Sequence, residues 1–387
     1  MADPTRRLAL AVADAGWFTT DHLFAATPES RASTLLLTCA DYGNAWRRGS
    51  RPWGNGWGSP TVLDRPGLWR RDMVLPPGWM KLAPRFGMRP IARAVRSWKR
   101  RHAANDPLAL VMTYPYYLTL RDQLRPAIQI YYNIDDYTLY WPGSADEVRR
   151  LERRAVRETD LTVCVAAIRA EELREAEPAH AHKIRHLPHG APPGSIDDHA
   201  WVKPAPPPDH IATLPRPRIG YVGSMSDRVD WDLINQLARA LPDASLVLIG
   251  RVNGEHPPGR AECLALPNVH AIGWRGQGEI AAYNRAFDVN LIPYRVDHPF
   301  NVACCPTKIN DLMGSGRPIV ATDLPECRLG RHLFDVAGSS TDFIGAVWTI
   351  LNSGSDDGRA ALRRDHALAN TCERTVGRLL DWLPGAG

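Results

Sequence analysis

The sequence predicts an α/β protein built from two doubly wound parallel sheets, each with its own crossover helices. Short apolar, β-rich runs alternate with longer amphipathic segments, the pattern of strands joined by helices. A proline-rich stretch breaks this alternation near the middle of the chain, and the alternation then restarts. The 387 residues suffice for two domains of ordinary size, each with a core of its own.

In the first half the apolar runs stand at 8–12, 35–38, 108–113, 128–132, 161–165 and 184–187, with amphipathic helices expected over 145–158 and 167–177. From 191 to 217 the chain carries Pro192, Pro193, Pro204, Pro206, Pro207, Pro208, Pro215 and Pro217, a composition that suits a semi-rigid linker. Strands are then expected at 218–222, 245–249, 269–272, 289–293 and 318–321, with helices at 231–240, 278–287 and 308–314. The tail, 358–383, reads as one or two amphipathic helices, with Leu362, Ala369, Cys372, Val376, Leu379, Leu380 and Leu383 forming the apolar stripe. The expected division is therefore a first domain over 1–195, a linker over 196–217, a second domain over 218–357 and C-terminal helices over 358–387. In open parallel sheets ligands bind beyond the carboxyl ends of the strands, so those ends are where functional side chains are sought.

Composition excludes several classes. With 44% hydrophobic and 23% charged residues, no window approaches the roughly 20 uncharged apolar residues of a membrane-spanning helix. The basic start, Met1 to Arg7, leads into an apolar run that Asp14 interrupts, so no signal peptide is expected and the chain is expected to be cytoplasmic. The seven cysteines are scattered and lack zinc spacing; the adjacent Cys304 and Cys305 are expected to be buried thiols.

The net charge of +5 divides unevenly, because residues 1–190 hold 28 Lys and Arg against 20 Asp and Glu and the remainder is net acidic. Between Arg65 and Arg101 eleven basic side chains face only Asp72, interleaved with Trp69, Trp79, Phe86, Met88 and Trp98. That stretch reads either as a face for an anionic membrane or polymer, with tryptophans at headgroup level, or as a solvated face around a core stripe.

Two motifs in the second half carry chemistry. Gly223, Ser224 and Met225 end a strand in a small-residue turn, where a backbone can approach a ligand and following amides can receive a diphosphate; Arg228 lies close behind. Further on, Tyr294 ends a strand, and a polar loop leads to Thr307, Lys308 and Asp311 at the start of a helix. Lys308 can neutralise a phosphate, and Asp311 can take the hydroxyls of a ribose. In the first half Asp135 and Asp136 follow the run 128–132 directly, so two carboxylates stand at a strand end, suited to general-base work or to capping a helix. His22, in the loop after the first strand, is a candidate for acceptor or sugar contact, and His189 for a turn near the end of the first domain.

The pattern from about Arg218 to Glu326 resembles the nucleotide-binding half of GT-B glycosyltransferases, with likeness to those of teichuronic acid synthesis and to the glucuronosyltransferases of xanthan assembly. The resemblance implies two Rossmann-like domains facing a cleft, with a C-terminal helix returning to the first. It implies nucleotide-sugar contacts at Gly223, Ser224, Met225, Tyr294, Thr307, Lys308 and Asp311, although many members carry Glu where this chain has Asp311. It also implies Asp136 as catalytic base, with Asp135 as the alternative. The donor it implies is a UDP-sugar, and the acceptor a saccharide or lipid-linked intermediate of polysaccharide synthesis. Such enzymes stabilise the leaving diphosphate with side chains and helix dipoles, so no metal or other cofactor is expected.

Two other readings compete. An epimerase-like enzyme on the same fold has no need of the basic, Trp-bearing stretch, and a nucleic-acid-binding protein would carry a reading motif that is lacking here.

Overall fold

The computed structural model describes residues 7–43, 59–192, 194–196, 206–252 and 256–384. The chain forms two units, Met1–Gly190 with Cys372–Gly387, and Ala191–Thr371.

The first unit is built on eight strands: β1 (Leu8–Ala13), β2 (Ala32–Asp41), β3 (Val62–Arg65), β4 (Leu68–Leu75), β5 (Leu108–Met112), β6 (Ile128–Asn133), β7 (Leu161–Cys164) and β8 (Ile184–His186). They lie in the order β3-β4-β2-β1-β5-β6-β7-β8, parallel except for the β3–β4 hairpin. The central strands are buried along their length, as an apolar run in a parallel sheet requires. The helices are α1 (Phe18–Ala25), α2 (Pro84–Gly87), α3 (Arg89–His102), α4 (Leu118–Leu124), α5 (Tyr137–Tyr140), α6 (Ala145–Glu158) and α7 (Ala167–Ala176).

The hairpin corrects the reading of the basic stretch as a single surface. Trp69, Arg70, Arg71 and Asp72 interrupt the apolar pattern of β4, yet Leu68, Met73, Val74 and Leu75 are buried and hold the strand beside β2. Arg70 pairs with Asp21 and Asp64, and Arg65 donates to the carbonyls of Ala25 and Thr27, so these cations brace the fold. Trp79 and Trp98 are core residues, and Trp69 stacks on His102 with ring centroids 4.8 Å apart. The tryptophans are therefore packing residues rather than headgroup anchors.

The second unit has strands β9 (Arg218–Val222), β10 (Ser245–Ile249), β11 (Val269–Gly273), β12 (Val289–Ile292), β13 (Ile319–Thr322) and β14 (Asp335–Ala337), all parallel in the order β11-β10-β9-β12-β13-β14. Its helices are α8 (Asp209–Ala212), α9 (Trp231–Ala240), α10 (Arg260–Leu264), α11 (Gln277–Ala286), α12 (Pro299–Ala303), α13 (Lys308–Met313), α14 (Pro325–Leu329), α15 (Ser340–Asn352) and α16 (Ala360–Ala369). A side chain at Gly220 would meet the Phe287 ring at 1.9 Å, so this glycine lets the ring lie flat on β9.

The described residues of the expected linker belong to the second unit. Ala191 bridges to Thr371, and Ile211 is fully buried against Val247, Ile249, Tyr283 and Phe287. Pro193 and residues 197–205 of the expected linker lie outside the described residues, as do residues 1–6 of the expected non-signal start. The tail divides between units: α16 packs with α13 in the second, and α17 (Cys372–Asp381) packs on α1 in the first. In α16 the expected stripe is displaced by one position. Leu362 is exposed, while the fully buried Arg363 donates to the carbonyls of Gly316 and Leu333 and pairs with Asp357 at 2.7 Å. A buried guanidinium satisfied this completely is compatible with a core position.

Candidate active site

Each sheet has one place where strand order reverses, between β1 and β5 in the first unit and between β9 and β12 in the second. Loops leaving such a pair diverge and open a crevice at the carboxyl ends of the strands.

In the second unit the residues after β9 and β12 meet there. Gly223 follows β9 with φ +155°, and a side chain on it would lie 2.3 Å from the Lys308 Nζ. The turn of Gly250, after β10, is as tight: its Cβ would fall 1.8 Å from the Gly223 carbonyl oxygen. Glycine at both positions lets two backbone turns and one lysine head share the same space. Lys308, at the start of α13, donates to the Tyr294 hydroxyl, and its ammonium lies 4.9 Å from the Tyr294 ring centre and 5.1 Å from that of Tyr221. Both rings offer negative faces to the cation. The Tyr221 hydroxyl donates to the Ser224 carbonyl at 2.8 Å and so fastens the turn.

The loop after β12 is clipped to the loop after β9. Val229 and Tyr294 form an antiparallel bridge, and the Arg295 amide donates to the Arg228 carbonyl at 3.0 Å. Asn301, fully buried on α12, completes the clip: its Nδ2 donates to the carbonyls of Arg228 (2.8 Å) and Arg295 (2.9 Å), and its Oδ1 accepts from Arg228 Nε at 2.8 Å. Arg228 also reaches Cys304 Sγ at 3.1 Å and lies 5.6 Å from the Tyr294 ring centre. Sequence reading missed Asn301, because an Asn in a polar loop carries no signal until the two carbonyls it bridges are known. Asn301→Leu strands these groups in a buried place and is expected to cost about 2–4 kcal/mol of stability, read as a lower urea midpoint at unchanged slope.

Three expectations for this region need correction. Met225 is fully buried in the core, with its carbonyl accepting from Arg260 at 2.8 Å, so its side chain is packing. The amides of Gly223 and Met225 already donate to the carbonyls of Ile249 and Arg251, which removes them as anion donors. The next long helix, α9, has its first turn capped by Asp230, whose carboxylate accepts from the Leu233 amide at 2.9 Å. Positive charge at this turn comes from the Lys308 ammonium and from the Arg228 guanidinium, which lies on the same Tyr294 ring. Ser224 is exposed beside it, and Thr307, preceding α13, makes no capping bond.

Asp311, one turn beyond Lys308, faces a small recess lined by Gln277 and Asn284 of α11 and by Pro192, Gly194 and Ser195. Burial pushes its carboxyl up to about 6, against the opposing pull of Lys308. Asp311 forms no ion pair among the described residues.

In the first unit the reversal point brings together residues that sequence reading missed. Asp14 follows β1, buried; its Oδ1 accepts from the amides of Gly16 (2.8 Å) and Cys39 (3.1 Å), and its amide donates to Thr113 Oγ1 after β5. Around it stands an aromatic group: Trp17 donates to the Tyr114 hydroxyl at 2.7 Å, Tyr114 packs on Tyr137, and Tyr137 stacks on Trp141. Aromatic residues scattered over 125 positions of sequence give no pattern before folding.

Asp135 and Asp136 follow β6 in the same region. Asp135 Oδ2 accepts from Tyr140 at 2.7 Å and its Oδ1 from the Asp136 amide at 3.0 Å. Asp136 caps α5: Oδ1 accepts from the Thr138 amide (2.9 Å) and hydroxyl (2.7 Å), while Oδ2 lies 3.9 Å from Arg169 Nη1. Arg169 is itself held by buried Glu152 at 3.0 Å. Capping thus occupies one oxygen of Asp136 and leaves the other turned toward Arg169. His22 packs edge-on against Phe18 at 5.9 Å and contacts neither aspartate among the described residues. His189 is buried and pushed down to about 4, which keeps it neutral.

Residues 216–353 match the family described as glycosyl transferases group 1. The second unit carries a group 1 glycosyltransferase domain. The matched region holds every second-unit residue of the candidate site apart from the Pro192–Ser195 wall. Over 168 residues the chain is 26% identical to TuaH of Bacillus subtilis, named as a teichuronic acid biosynthesis glycosyltransferase; the match takes in 42% of this chain and 40% of TuaH. The fold is that of the GT-B glycosyltransferases, and the likeness reaches well beyond the matched region. HepE of Anabaena, solved in complex with UDP, superposes with a TM-score of 0.65 at 14% identity, covering 97% of this chain and 99% of HepE. The α,α-trehalose 6-phosphate synthase of Burkholderia multivorans gives 0.66 at 12% identity, covering 97% and 98%. No helix among the described residues is long and apolar enough to cross a membrane.

Proposed function

We propose that the protein is a glycosyltransferase that moves a sugar from a UDP-sugar, UDP-glucuronate or a UDP-hexose, to a hydroxyl of a saccharide or lipid-linked acceptor in polysaccharide or glycoconjugate synthesis. The observation that carries this reading is the Lys308 ammonium, held between the Tyr221 and Tyr294 rings against a turn that only glycine permits, at the reversal point of a group 1 glycosyltransferase domain. A fixed cation there meets the diphosphate of a nucleotide-sugar without rearranging, which is the economy of a preorganised site. HepE, which shares the fold, was solved with UDP, which favours uridine as the base.

The first unit takes the acceptor. Its hydroxyl loses a proton to Asp136 Oδ2 as its oxygen attacks the anomeric carbon; the bond from that carbon to the diphosphate breaks, and UDP leaves with its new charge on Lys308. Arg169 holds the aspartate in place, and the Tyr114–Tyr137–Trp141 group supplies apolar faces for a sugar ring. With Lys308 taking the charge, the transfer is expected to be metal-independent, and the whole reaction to take place on the cytoplasmic side.

Asp311 is assigned the ribose. Ribose hydroxyls donate to a carboxylate, and the ionised form accepts on both oxygens. UDP-sugar affinity is therefore expected to rise as pH climbs through about 6, the value to which burial lifts this carboxyl, and to be flat in Asp311→Asn. The same shift acts on stability. A folded value above the unfolded one means the native state holds its proton longer, so stability falls as pH rises from the ordinary carboxyl value to about 6. At pH 7 Asp311→Asn should melt above wild type while binding donor more weakly.

The test of the whole reading is transfer of labelled sugar from UDP-sugars into a membrane saccharide fraction, with UDP released in step. UDP release without label in any acceptor, or none with any UDP-sugar, overturns it.

A further inference from the structure

We propose that the face formed by α2 and α3 of the first unit docks on an anionic lipid bilayer, with arginines meeting headgroup phosphates and Leu82 and Phe86 entering the headgroup layer. The helix α3 buries Ile91, Ala92, Val95 and Trp98 on one side and turns Arg89, Arg93, Arg96 and Arg100 outward on the other. Spacings of four, three and four residues stack these on one stripe about 16 Å long. Arg85 of α2 extends the stripe, and Arg154 of α6 faces it across an open groove.

Charge in this groove is unbalanced. Its one carboxylate, Asp122, is taken by Arg121 and Arg154, and none of Arg85, Arg89, Arg93, Arg96 or Arg100 meets a carboxylate among the described residues. The remaining polar contacts brace the groove: Arg96 donates to the Gln123 carbonyl at 2.5 Å, and Gln123 donates back to the Arg85 carbonyl at 2.9 Å. The cations are thus presented on a rigid frame, whereas Arg65 and Arg70, earlier in the basic stretch, are spent on internal contacts.

A lipid surface is favoured over a dissolved polyanion by what stands at the amino end of the stripe. Leu82 is 86% exposed and Phe86 66% exposed, with the Arg89 guanidinium 4.6 Å from the Phe86 ring centre. A soluble polyanion gains nothing from two large apolar side chains held in water. A bilayer takes both, the apolar pair below the phosphates and the arginines at their level. The inference is independent of the donor assignment.

The test is co-sedimentation with vesicles of equimolar phosphatidylcholine and phosphatidylglycerol, compared with pure phosphatidylcholine. Wild type is expected to sediment with the first and not the second. Arg89→Ser, Arg93→Ser and Arg100→Ser together are expected to weaken binding on the order of a hundredfold, at about fivefold for each cation. Leu82→Ser with Phe86→Ser is expected to weaken it at unchanged charge. Both variants should keep the wild-type melting temperature and UDP affinity, which separates lost docking from lost folding. Failure of wild type to bind anionic vesicles overturns the proposal, as does wild-type binding by the triple arginine variant. Wild-type binding by the Leu82, Phe86 variant overturns it in favour of a polyanion face.

Discussion

Lys308→Ala is expected to weaken UDP-sugar binding by roughly 10- to 100-fold, the loss of one charge-assisted contact to a diphosphate, while the protein keeps its melting temperature to within a few degrees. The fold gives Lys308 little structural work. It is half-buried and bonded to one hydroxyl, and the Tyr294 backbone is held separately by Thr322, whose Oγ1 accepts from its amide at 3.2 Å and donates to its carbonyl at 2.7 Å. Lys308→Arg distinguishes charge from shape. The guanidinium keeps the charge but is too broad for the space against Gly223, so partial recovery is expected. Gly223→Ala should mimic the lysine loss by pushing the ammonium aside, because the added carbon would lie 2.3 Å from it. Unchanged UDP affinity in both variants removes Lys308 from the donor site.

Asp136→Asn is expected to lower turnover by about 10²- to 10⁴-fold, the range for loss of a general base, with donor affinity unchanged. Asparagine is chosen because it caps a helix about as well as aspartate, so α5 should survive. Two roles meet in this residue, and the substitution separates them. If Oδ1 is only a cap, Asn restores everything and turnover stays near wild type. If Oδ2 takes a proton, capping survives and chemistry does not. Equal losses of turnover and donor binding would mark a carboxylate that matters for structure alone. Asp135→Asn should have a smaller effect, since both oxygens of Asp135 are engaged by Tyr140 and the Asp136 amide.

Local patterns in the chain were legible to the degree that their causes were local. The buried parallel strands are continuous apolar runs, so β1, β5, β6, β9 and β10 could be read directly from sequence. The helix α13 could be read too, because Lys308 and Asp311 stand three apart, on one turn of a helix that runs to a glycine. What remained hidden was set by contacts distant in sequence. The β3–β4 hairpin is charged because it lies at a sheet edge, where its outward side chains meet solvent or pair with α1. Leu362 and Arg363 exchange places with expectation because the carbonyls of Gly316 and Leu333 and the carboxylate of Asp357 converge on the arginine. Proline content between 191 and 217 was read as a linker, yet Ile211 makes part of that segment a component of the second unit's core.

The candidate sites follow the same division. Gly223 and Tyr294 could be named from sequence because each lies within two residues of a strand end, and Lys308 because it opens the helix that follows the polar loop after β12. Asn301 and Asp14 could not, since their importance comes from what they bridge: two loops in one case, three strands in the other. Met225 was misassigned for a related reason. A residue after a glycine turn can face the ligand or the core, and only packing decides.

The measurement closest to the central claim is calorimetric titration of the wild-type protein with UDP, GDP, ADP and dTDP in parallel. A single site for UDP, with weaker heats from the other three and loss of the UDP site in Lys308→Ala, is the predicted result. Absence of a binding heat for every nucleotide, or a UDP site indifferent to Lys308→Ala, would contradict it.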